Sequence, residues 1–288
     1  MKKVLFIGNR RNVWAEIRLQ KALELVLSVA PAGSYLAKDP GFSEVSNRVI
    51  ADRNELLKII EETEFDLLIS NGCPYVLPVS KLKRTGQLFI NVHPSLLPEL
   101  RGKHAGNGVF LLGKEVAGAT MHYMDDGVDT GNIIAQRQID ITPDLDLGLL
   151  YECLFQLEGD VFREGMRLLE VHDYQYDGFK QSGTGSTYSR AESDMIANVG
   201  ASSREALLKR IRSFGIGSQG LRCDFEDRSL LVFDAETLEH TYVTALFEKC
   251  KPGTIAFEYD GKLIVRCADG LIKIKSYREV PLNASKTS

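Results

Sequence analysis

The sequence has little of what a disulfide-stapled or membrane-spanning protein needs. Its five cysteines are scattered, odd in number and form no CxxC pair, which predicts free thiols in a reducing compartment. No apolar run approaches the roughly 20 residues that cross a bilayer, and the apolar run at residues 4–7 is too short for a signal peptide. We therefore expect a cytoplasmic protein with no membrane partner.

An excess of charge of one sign is also lacking, because 35 basic and 39 acidic residues leave a net charge of −4. This balance gives no general attraction to nucleic acid or anionic lipid. A chain of 288 residues with 44% hydrophobic and 26% charged residues is typical of a globular protein of one or two domains. A chain of this length buries enough surface to be stable without a metal, so any bound metal would have a catalytic role.

Short apolar runs alternate with segments of helical spacing over the first 171 residues. Strands are predicted at residues 4–7, 65–70, 88–92, 117–124 and 132–139. Helices are predicted at residues 13–26, 55–62 and 147–171. This alternation predicts an α/β fold, a Rossmann-like and mostly parallel sheet with helices on both faces.

A second, smaller domain is predicted after a polar linker at residues 172–190, which is rich in Gly, Ser, Thr and Tyr. The predicted boundaries are thus 1–171, 172–190 and 191–288. The last part opens with a capping box, Ser202-x-x-Glu205, ahead of a helix through Leu207, Leu208 and Ile211. Strand-like runs follow at residues 229–233, 241–247, 254–257, 262–267 and 271–277. Five short strands behind one helix predict a small, OB-like β-rich barrel.

Three polar residues between positions 91 and 131 are candidates for chemistry. Asn91 and His93 lie two apart at the end of a predicted strand, so their side chains share one face. Asp129 lies in a loop between Gly127 and Gly131 that could bring its carboxylate against the histidine. Each residue alone is more often structural. A metal site can also be drawn from the side chains of this region, namely His93, His104, His122, Asp125, Asp126 and Asp129. Their spacing matches no compact zinc pattern, so we predict no metal.

Two motifs in this region resemble those of a known family. HPSLLPELRG at residues 93–102, followed by DDGVDTG at residues 125–131, resembles the folate-dependent formyltransferases. That family includes glycinamide ribonucleotide, methionyl-tRNA and nucleotide-sugar formyltransferases. The ending GKLIVRCADGLIKIKSY resembles the small barrel that follows the catalytic domain in the methionyl-tRNA and sugar enzymes.

The resemblance implies a catalytic trio of Asn91, His93 and Asp129 that moves a formyl group from 10-formyltetrahydrofolate to a primary amine. Asn91 would donate to the oxyanion of a tetrahedral intermediate, and His93 would move a proton. Asp129 would raise the pKa of the imidazole. No covalent intermediate is implied, so Cys73 is interpreted as a packing residue. The implied folate-binding residues are Tyr75, Val76, Leu77, Tyr123, Asp125, Asp126, Gly127 and Val128.

The acceptor amine is predicted from charge and domain content. Gly8, Asn9, Arg10 and Arg11 lie between the first strand and helix, where they could hold an anionic group of the substrate. The two arginines could equally be solvated loop charges. Residues 191–288 carry 14 basic and 14 acidic residues, and residues 37–49 lack the long basic insertion expected of the tRNA enzymes.

We therefore predict an amino-sugar nucleotide as the substrate. Methionyl-tRNA is the first alternative, and a formyl-folate hydrolase or folate-binding protein is the second. Exposed strand edges would also allow a homodimer.

Overall fold

The computed structural model describes residues 1–282, which form two compact units. Unit 1 comprises Met1–Ala105, Val116–Asp140 and Glu152–Tyr188. Unit 2 comprises Gly106–Glu115, Ile141–Tyr151 and the chain from Ser189 onward. Within residues 1–282, no helix is both long enough and apolar enough to cross a membrane.

Seven strands form the sheet of unit 1. They are β1 (Lys2–Gly8), β2 (Leu23–Pro31), β3 (Asn47–Ile50), β4 (Leu67–Asn71), β5 (Leu88–His93), β6 (Val116–Tyr123) and β7 (Ile133–Asp140). Their order is β3-β2-β1-β4-β5-β6-β7. The first five strands pair in parallel, whereas β6 runs antiparallel to both β5 and β7. The prediction of an α/β fold with a mostly parallel sheet is therefore confirmed.

The first 171 residues contain five α-helices. They are α1 (Arg11–Leu19), α2 (Arg53–Glu62), α3 (Val79–Leu82), α4 (Ala105–Leu111) and α5 (Leu147–Val171). Successive residues of β1 point to opposite faces of the sheet, as the period of a strand requires. Phe6 belongs to a core cluster with Trp14 of α1 and Phe162 of α5, while Leu5 belongs to another with Ile60 of α2. Both faces of the sheet are thus buried.

The predicted helix at residues 13–26 was wrong in its second half. α1 ends at Leu19, Gln20 is extended with φ of −86° and ψ of 115°, and residues 23–31 form β2. The apolar residues of this segment fit a helical period, but a strand there pairs with both β1 and β3. Pairing on two sides satisfies the N–H and C=O groups of this strand's backbone. Tertiary context therefore overrides the local pattern. Sequence analysis also missed β3.

The part of unit 2 that the structure describes, up to residue 282, contains six strands and two further α-helices. They are β8 (Ile196–Ala197), α6 (Arg204–Phe214), β9 (Leu221–Asp224), β10 (Ser229–Leu238), α7 (Thr241–Leu246), β11 (Ile255–Tyr259), β12 (Lys262–Arg266) and β13 (Leu271–Val280). The sheet order is β11-β12-β13-β10-β9-β8, packed over α6 around residues such as Leu207, Phe214 and Val265. The β-rich character of this part is confirmed. Its closure into an OB-like barrel stays a prediction.

Two local predictions in unit 2 were wrong. Residues 241–247, expected to form a strand, contain α7 instead. The neighbours of β10 are already β9 and β13, so a strand after β10 has no edge to join there, whereas a helix satisfies its own backbone. The N-cap of α6 is Ser203, whose hydroxyl accepts from Ala206 N at 3.2 Å, while Ser202 donates to the Asn198 carbonyl.

Residues 172–188, predicted as a linker, are part of unit 1. Phe179 exchanges two backbone hydrogen bonds with Ile133 of β7, at 2.8 and 2.9 Å. Thr187 forms an isolated bridge with Arg101. A polar composition without a period does not reveal such contacts, because the partners are distant in sequence.

Candidate active site

The site lies where the carboxyl ends of three neighbouring strands meet. The direction in which the chain adds strands reverses between β1 and β4, because β2 lies on one side of β1 and β5 lies on the far side of β4. Open parallel sheets bind ligands at such a switch point. A cavity of about 370 Å³ opens there, and all of its lining residues belong to unit 1. Its size is in the range of small-molecule sites.

Asn91 and His93 occupy the end of β5 and face this cavity, as their spacing predicts. The His93 side chain is 7% exposed. Its Nε2 lies 2.9 Å from the Leu100 carbonyl oxygen, and its Nδ1 lies 3.5 Å from Asp129 Oδ2. Because a carbonyl only accepts, Nε2 carries the proton in the neutral ring, and the lone pair of Nδ1 faces Asp129.

Asp129 lies in the loop between β6 and β7 with a left-handed φ of +53°. Its Oδ1 accepts from Asn91 Nδ2 at 3.1 Å, and its Oδ2 accepts from the Gly102 N–H at 2.8 Å. The loop returns so tightly that a Cβ on Gly131 would collide with the Tyr123 carbonyl oxygen. The three residues implied by the resemblance are thus side by side.

His122 is a fourth polar residue of the site, which sequence analysis considered only as a possible metal ligand. It lies directly opposite Asn91 in the antiparallel β5–β6 pair, so the two side chains share a face. Its Nε2 is 3.2 Å from Asn91 Nδ2 and 3.5 Å from Asp129 Oδ1. Its Nδ1 lies 2.7 Å from the Tyr123 carbonyl, so Nδ1 carries the proton. The two motifs do not include His122, and only the strand register brings it here.

The electrostatics of the pair follow from burial and hydrogen bonding. Burial lowers the pKa of His93 below its ordinary value, against the opposing charge of Asp129. The predicted upward effect of Asp129 is therefore present but outweighed by burial. Burial would raise the pKa of Asp129, but His93, His122 and the Gly102 N–H outweigh it and hold that pKa well below its usual range. A neutral imidazole next to a carboxylate can take up a proton.

Most residues implied for folate binding line the cavity. Those that do are Tyr75, Val76, Leu77, Asp125, Gly127 and Val128. Tyr123 does not line the cavity, and its hydroxyl donates to the Tyr176 carbonyl instead. Partial burial raises the pKa of this hydroxyl to about 12. Asp126 does not line the cavity either. It accepts from the Ser80 N–H at 3.0 Å and borders an adjoining depression.

The structure separates the four residues considered for substrate binding. Asn9 and Arg10 line the cavity, whereas Gly8 and Arg11 do not. Gly8 packs so closely on β4 that a Cβ there would collide with the Asn71 carbonyl. Arg11 is 72% exposed and pairs with Asp39 at 3.0 Å.

The Arg10 guanidinium forms an ion pair with Glu158, whose side chain is fully buried. Burial raises the pKa of Glu158 to about 7 despite this arginine. Arg10 is therefore already engaged within the protein, at the edge of the cavity.

The cavity also has walls that the motifs did not indicate. They include Cys73, Lys103, His104 and Met124. Burial raises the pKa of the Cys73 thiol to about 11, so it is protonated at neutral pH and unsuited to be a nucleophile. Among residues 1–282, no group of three or more His, Cys, Asp or Glu side chains is arranged to hold a metal ion.

Comparisons with known proteins match both parts of the chain. Residues 14–165 match the model of the formyl transferase family, and residues 201–286 match the formyl transferase C-terminal domain. A methionyl-tRNA formyltransferase of Caldanaerobacter subterraneus subsp. tengcongensis is 26% identical over 258 residues, covering 88% of this chain and 79% of that protein. A methionyl-tRNA formyltransferase of Syntrophus aciditrophicus is 38% identical over 116 residues, 40% of this chain and 37% of that protein's length.

A solved structure has a similar fold along almost the whole chain. It is the N-formyltransferase of Helicobacter canadensis, crystallised in complex with folinic acid and dTDP-3-aminofucose. It is 18% identical, has a TM-score of 0.71, and the match covers 96% of this chain and 100% of that one.

Proposed function

Because the chain belongs to the formyl transferase family, we propose that it transfers the formyl group of 10-formyltetrahydrofolate to a primary amine. One observation carries this proposal: Asn91, His93 and Asp129 converge on one wall of the cavity at the carboxyl edge of the sheet. Donor, proton acceptor and carboxylate are the groups that acyl transfer to an amine requires.

The reaction begins with attack of the amine nitrogen on the formyl carbon. The new C–N bond forms a tetrahedral intermediate, and its oxygen becomes an oxyanion. The two protons of Asn91 Nδ2 lie toward Asp129 Oδ1 and His122 Nε2. Rotation of the side chain would let one of them donate to the oxyanion instead. Such a donor is worth about 10²–10³ in rate in comparable acyl-transfer sites.

The proton of the attacking amine then has to leave. His93 is suited to accept it, because burial keeps the imidazole neutral and Nε2 is committed to the Leu100 carbonyl. Nδ1 therefore gains the proton 3.5 Å from Asp129 Oδ2, where the carboxylate stabilises the imidazolium. Breakage of the bond between the formyl carbon and N10 returns this proton to N10 and releases tetrahydrofolate.

The folate occupies the apolar part of the cavity in this proposal. Tyr75, Val76 and Leu77 follow β4, and Val128 faces the same space from the loop that carries Asp129. Val76 and Val128 are 53% and 46% exposed, which is unusual for valine and suits a wall that a flat ring covers. Folinic acid in the Helicobacter canadensis enzyme supports a folate ligand here.

For the acceptor we propose an amino sugar linked to a nucleotide. Transfer RNA is held largely through phosphates and needs free basic side chains. Several basic side chains of unit 2 form ion pairs with acidic side chains of the same unit: Arg222 with Asp224, Arg228 with Glu258 and Glu279, and Lys275 with Asp234. Arg212 is bound to the Thr142 and Leu145 carbonyls. The dTDP-3-aminofucose of the Helicobacter canadensis enzyme, similar over 96% of this chain, supports a small sugar substrate.

Methionyl-tRNA is the second candidate acceptor. It is favoured by one observation, the methionyl-tRNA formyltransferase of Caldanaerobacter subterraneus subsp. tengcongensis, which aligns with 88% of this chain. A hydrolase that uses water in place of the amine would need the same site.

The test measures release of tetrahydrofolate from 10-formyltetrahydrofolate with a panel of amino-sugar nucleotides, with methionyl-tRNA and without acceptor. His93→Ala is compared with His172→Ala, whose ring lies exposed at the end of α5 and bonds to the Leu168 carbonyl. We expect sugar-dependent release that His93→Ala abolishes and His172→Ala retains. Release with methionyl-tRNA alone would overturn the sugar substrate, and release without acceptor would identify a hydrolase.

Pairing of two copies through strand edges stays a prediction. In unit 2 the two ends of the sheet are β11 and β8, and Phe257 on β11 is 50% exposed. Light scattering coupled to size exclusion would distinguish a monomer from a dimer.

A further inference from the structure

A stretch of chain beyond α5 turns back onto the loops of the site. We call residues 178–187 the return segment. Near its start, Phe179 exchanges backbone hydrogen bonds with Ile133. Near its end, Ser186 O accepts from Arg101 N at 2.9 Å, and Ser186 Oγ accepts from Leu100 N at 3.0 Å. The segment is therefore fixed at both ends within unit 1.

Gln181, in the middle of the return segment, joins two loops through one carboxamide. Its Nε2 donates to the carbonyl oxygens of Asp129 and Gly131, both at 2.8 Å. Its Oε1 accepts from Arg101 Nη2 at 2.7 Å and from Arg101 Nε at 3.2 Å. Both donor protons and both acceptor lone pairs of the side chain are thus used.

Each of the two loops orients one member of the proton-transfer pair. The loop bound by Nε2 carries the Asp129 carboxylate in its left-handed conformation. The loop bound by Oε1 contains Leu100, whose carbonyl orients His93, and Gly102, whose N–H holds the Asp129 carboxylate. Because Gln181 contacts both loops, it fixes their separation and with it the distance between His93 and Asp129.

We propose that Gln181 is a positioning residue that sets the geometry of the His93–Asp129 pair from outside the cavity. Gln181 is absent from the cavity lining, so it acts through Asp129 and Arg101 without contacting substrate. This inference rests on the proposed formyl transfer. A side chain that only donates or only accepts could hold one of the loops but not both.

Gln181→Glu tests the inference with little change of shape. The glutamate keeps an acceptor for Arg101 and places a second oxygen against the Asp129 and Gly131 carbonyls, where a donor is needed. Gln181→Met is the second variant, of similar length and without hydrogen bonds. Gln175→Glu is the matched control, because Gln175 is exposed on the same connection and undergoes the same chemical change.

With the acceptor that supports wild-type turnover, we expect both Gln181 variants to lower kcat by about 10- to 100-fold, as loss of catalytic alignment does. The KM for 10-formyltetrahydrofolate should change little, because Gln181 does not touch the folate walls. Gln175→Glu should behave as wild type. An unchanged kcat, a loss confined to KM, or an equal loss in Gln175→Glu would overturn the inference.

A second readout separates this inference from the proposed function. Long-range ¹H–¹⁵N spectra of the five histidines report ring environment without any acceptor. We expect the ring nitrogen signals of His93 and His122 to shift in Gln181→Glu and to stay unchanged in Gln175→Glu. If the wild type transfers no formyl group, the proposed function fails while these shifts still decide the role of Gln181. Unshifted signals would contradict it.

Discussion

Replacement of Asp129 by asparagine is the sharpest single test of the site. The carboxylate is 13% exposed, accepts from Gly102 N at 2.8 Å and from Asn91 Nδ2 at 3.1 Å, and faces two imidazoles at 3.5 Å. Asparagine keeps the shape and one acceptor oxygen but turns the second into a donor. One of the two donors then loses its partner.

The expected loss of stability follows from the one donor that Asp129→Asn leaves without an acceptor. Losing one hydrogen bond to a charged group in a buried position costs about 1.5–3 kcal/mol. The pKa of the Asp129 carboxyl is lowered in the folded protein, so its contribution is present above the ordinary carboxyl pKa and is lost as pH falls below it. The difference in unfolding free energy between wild type and Asp129→Asn should therefore be largest near neutral pH and should shrink in acid.

The expected loss of activity is larger. Without the carboxylate, an imidazolium at His93 has no anionic partner beside Nδ1, and positioned acid–base groups contribute about 10²–10⁴ in rate. Tetrahydrofolate release should fall by that factor, while binding of a formyl-folate analogue stays close to wild type.

Urea unfolding at several pH values measures the stability change, and the release assay measures the activity change. Asp140→Asn is the control, because Asp140 is exposed at the end of β7. Wild-type turnover in Asp129→Asn, or an equal loss in Asp140→Asn, would refute the role given to Asp129.

Three further predictions concern residues around the same site. His122→Leu should lower kcat by roughly fivefold in the release assay, since losing one hydrogen-bond partner of Asn91 costs about 1 kcal/mol; unchanged turnover would contradict this. Gly131→Ala should destabilise the protein by about 1–3 kcal/mol in urea unfolding, because its Cβ collides with the Tyr123 carbonyl. Gly217→Ala, where nothing lies near the added Cβ, should stay within about 0.5 kcal/mol of wild type. For Glu158 the folded pKa is raised to about 7, so its contribution is present below its ordinary pKa and is lost as pH rises through 7. Between pH 4.5 and 7.5, wild type should therefore lose about 3 kcal/mol of unfolding free energy relative to Glu158→Gln, and parallel pH profiles would contradict the raised pKa.

The family and the layered α/β fold could be predicted because both depend on patterns within short stretches of sequence. HPSLLPELRG and DDGVDTG are contiguous motifs, and the match of residues 14–165 to the formyl transferase family confirms the resemblance. The long helix over residues 147–171 was predicted with the bounds that the structure has. Its apolar residues repeat at three and four positions for 25 residues, a signal that no strand can imitate.

Predictions failed where two structures compete for one local pattern. Residues 23–31 carry apolar residues that suit a helix, but pairing with β1 and β3 makes them a strand. Residues 241–247 are rich in β-branched and aromatic types but have no free sheet edge beside β10. In both cases pairing among strands outside the segment, or its absence, decides the structure, and the local pattern does not show that pairing.

By itself the sequence predicted three polar groups of the candidate site and the edge of the sheet at which they lie. Asn91 and His93 share a face because strand periodicity fixes it, and Asp129 is tied to a loop by its glycines. The tertiary structure alone decided their partners. Strand register places His122 opposite Asn91, helix packing pairs Glu158 with Arg10, and the return segment brings Gln181 to the Asp129 loop. Local periodicity fixes direction along an element, whereas contacts between distant elements depend on how the whole chain packs.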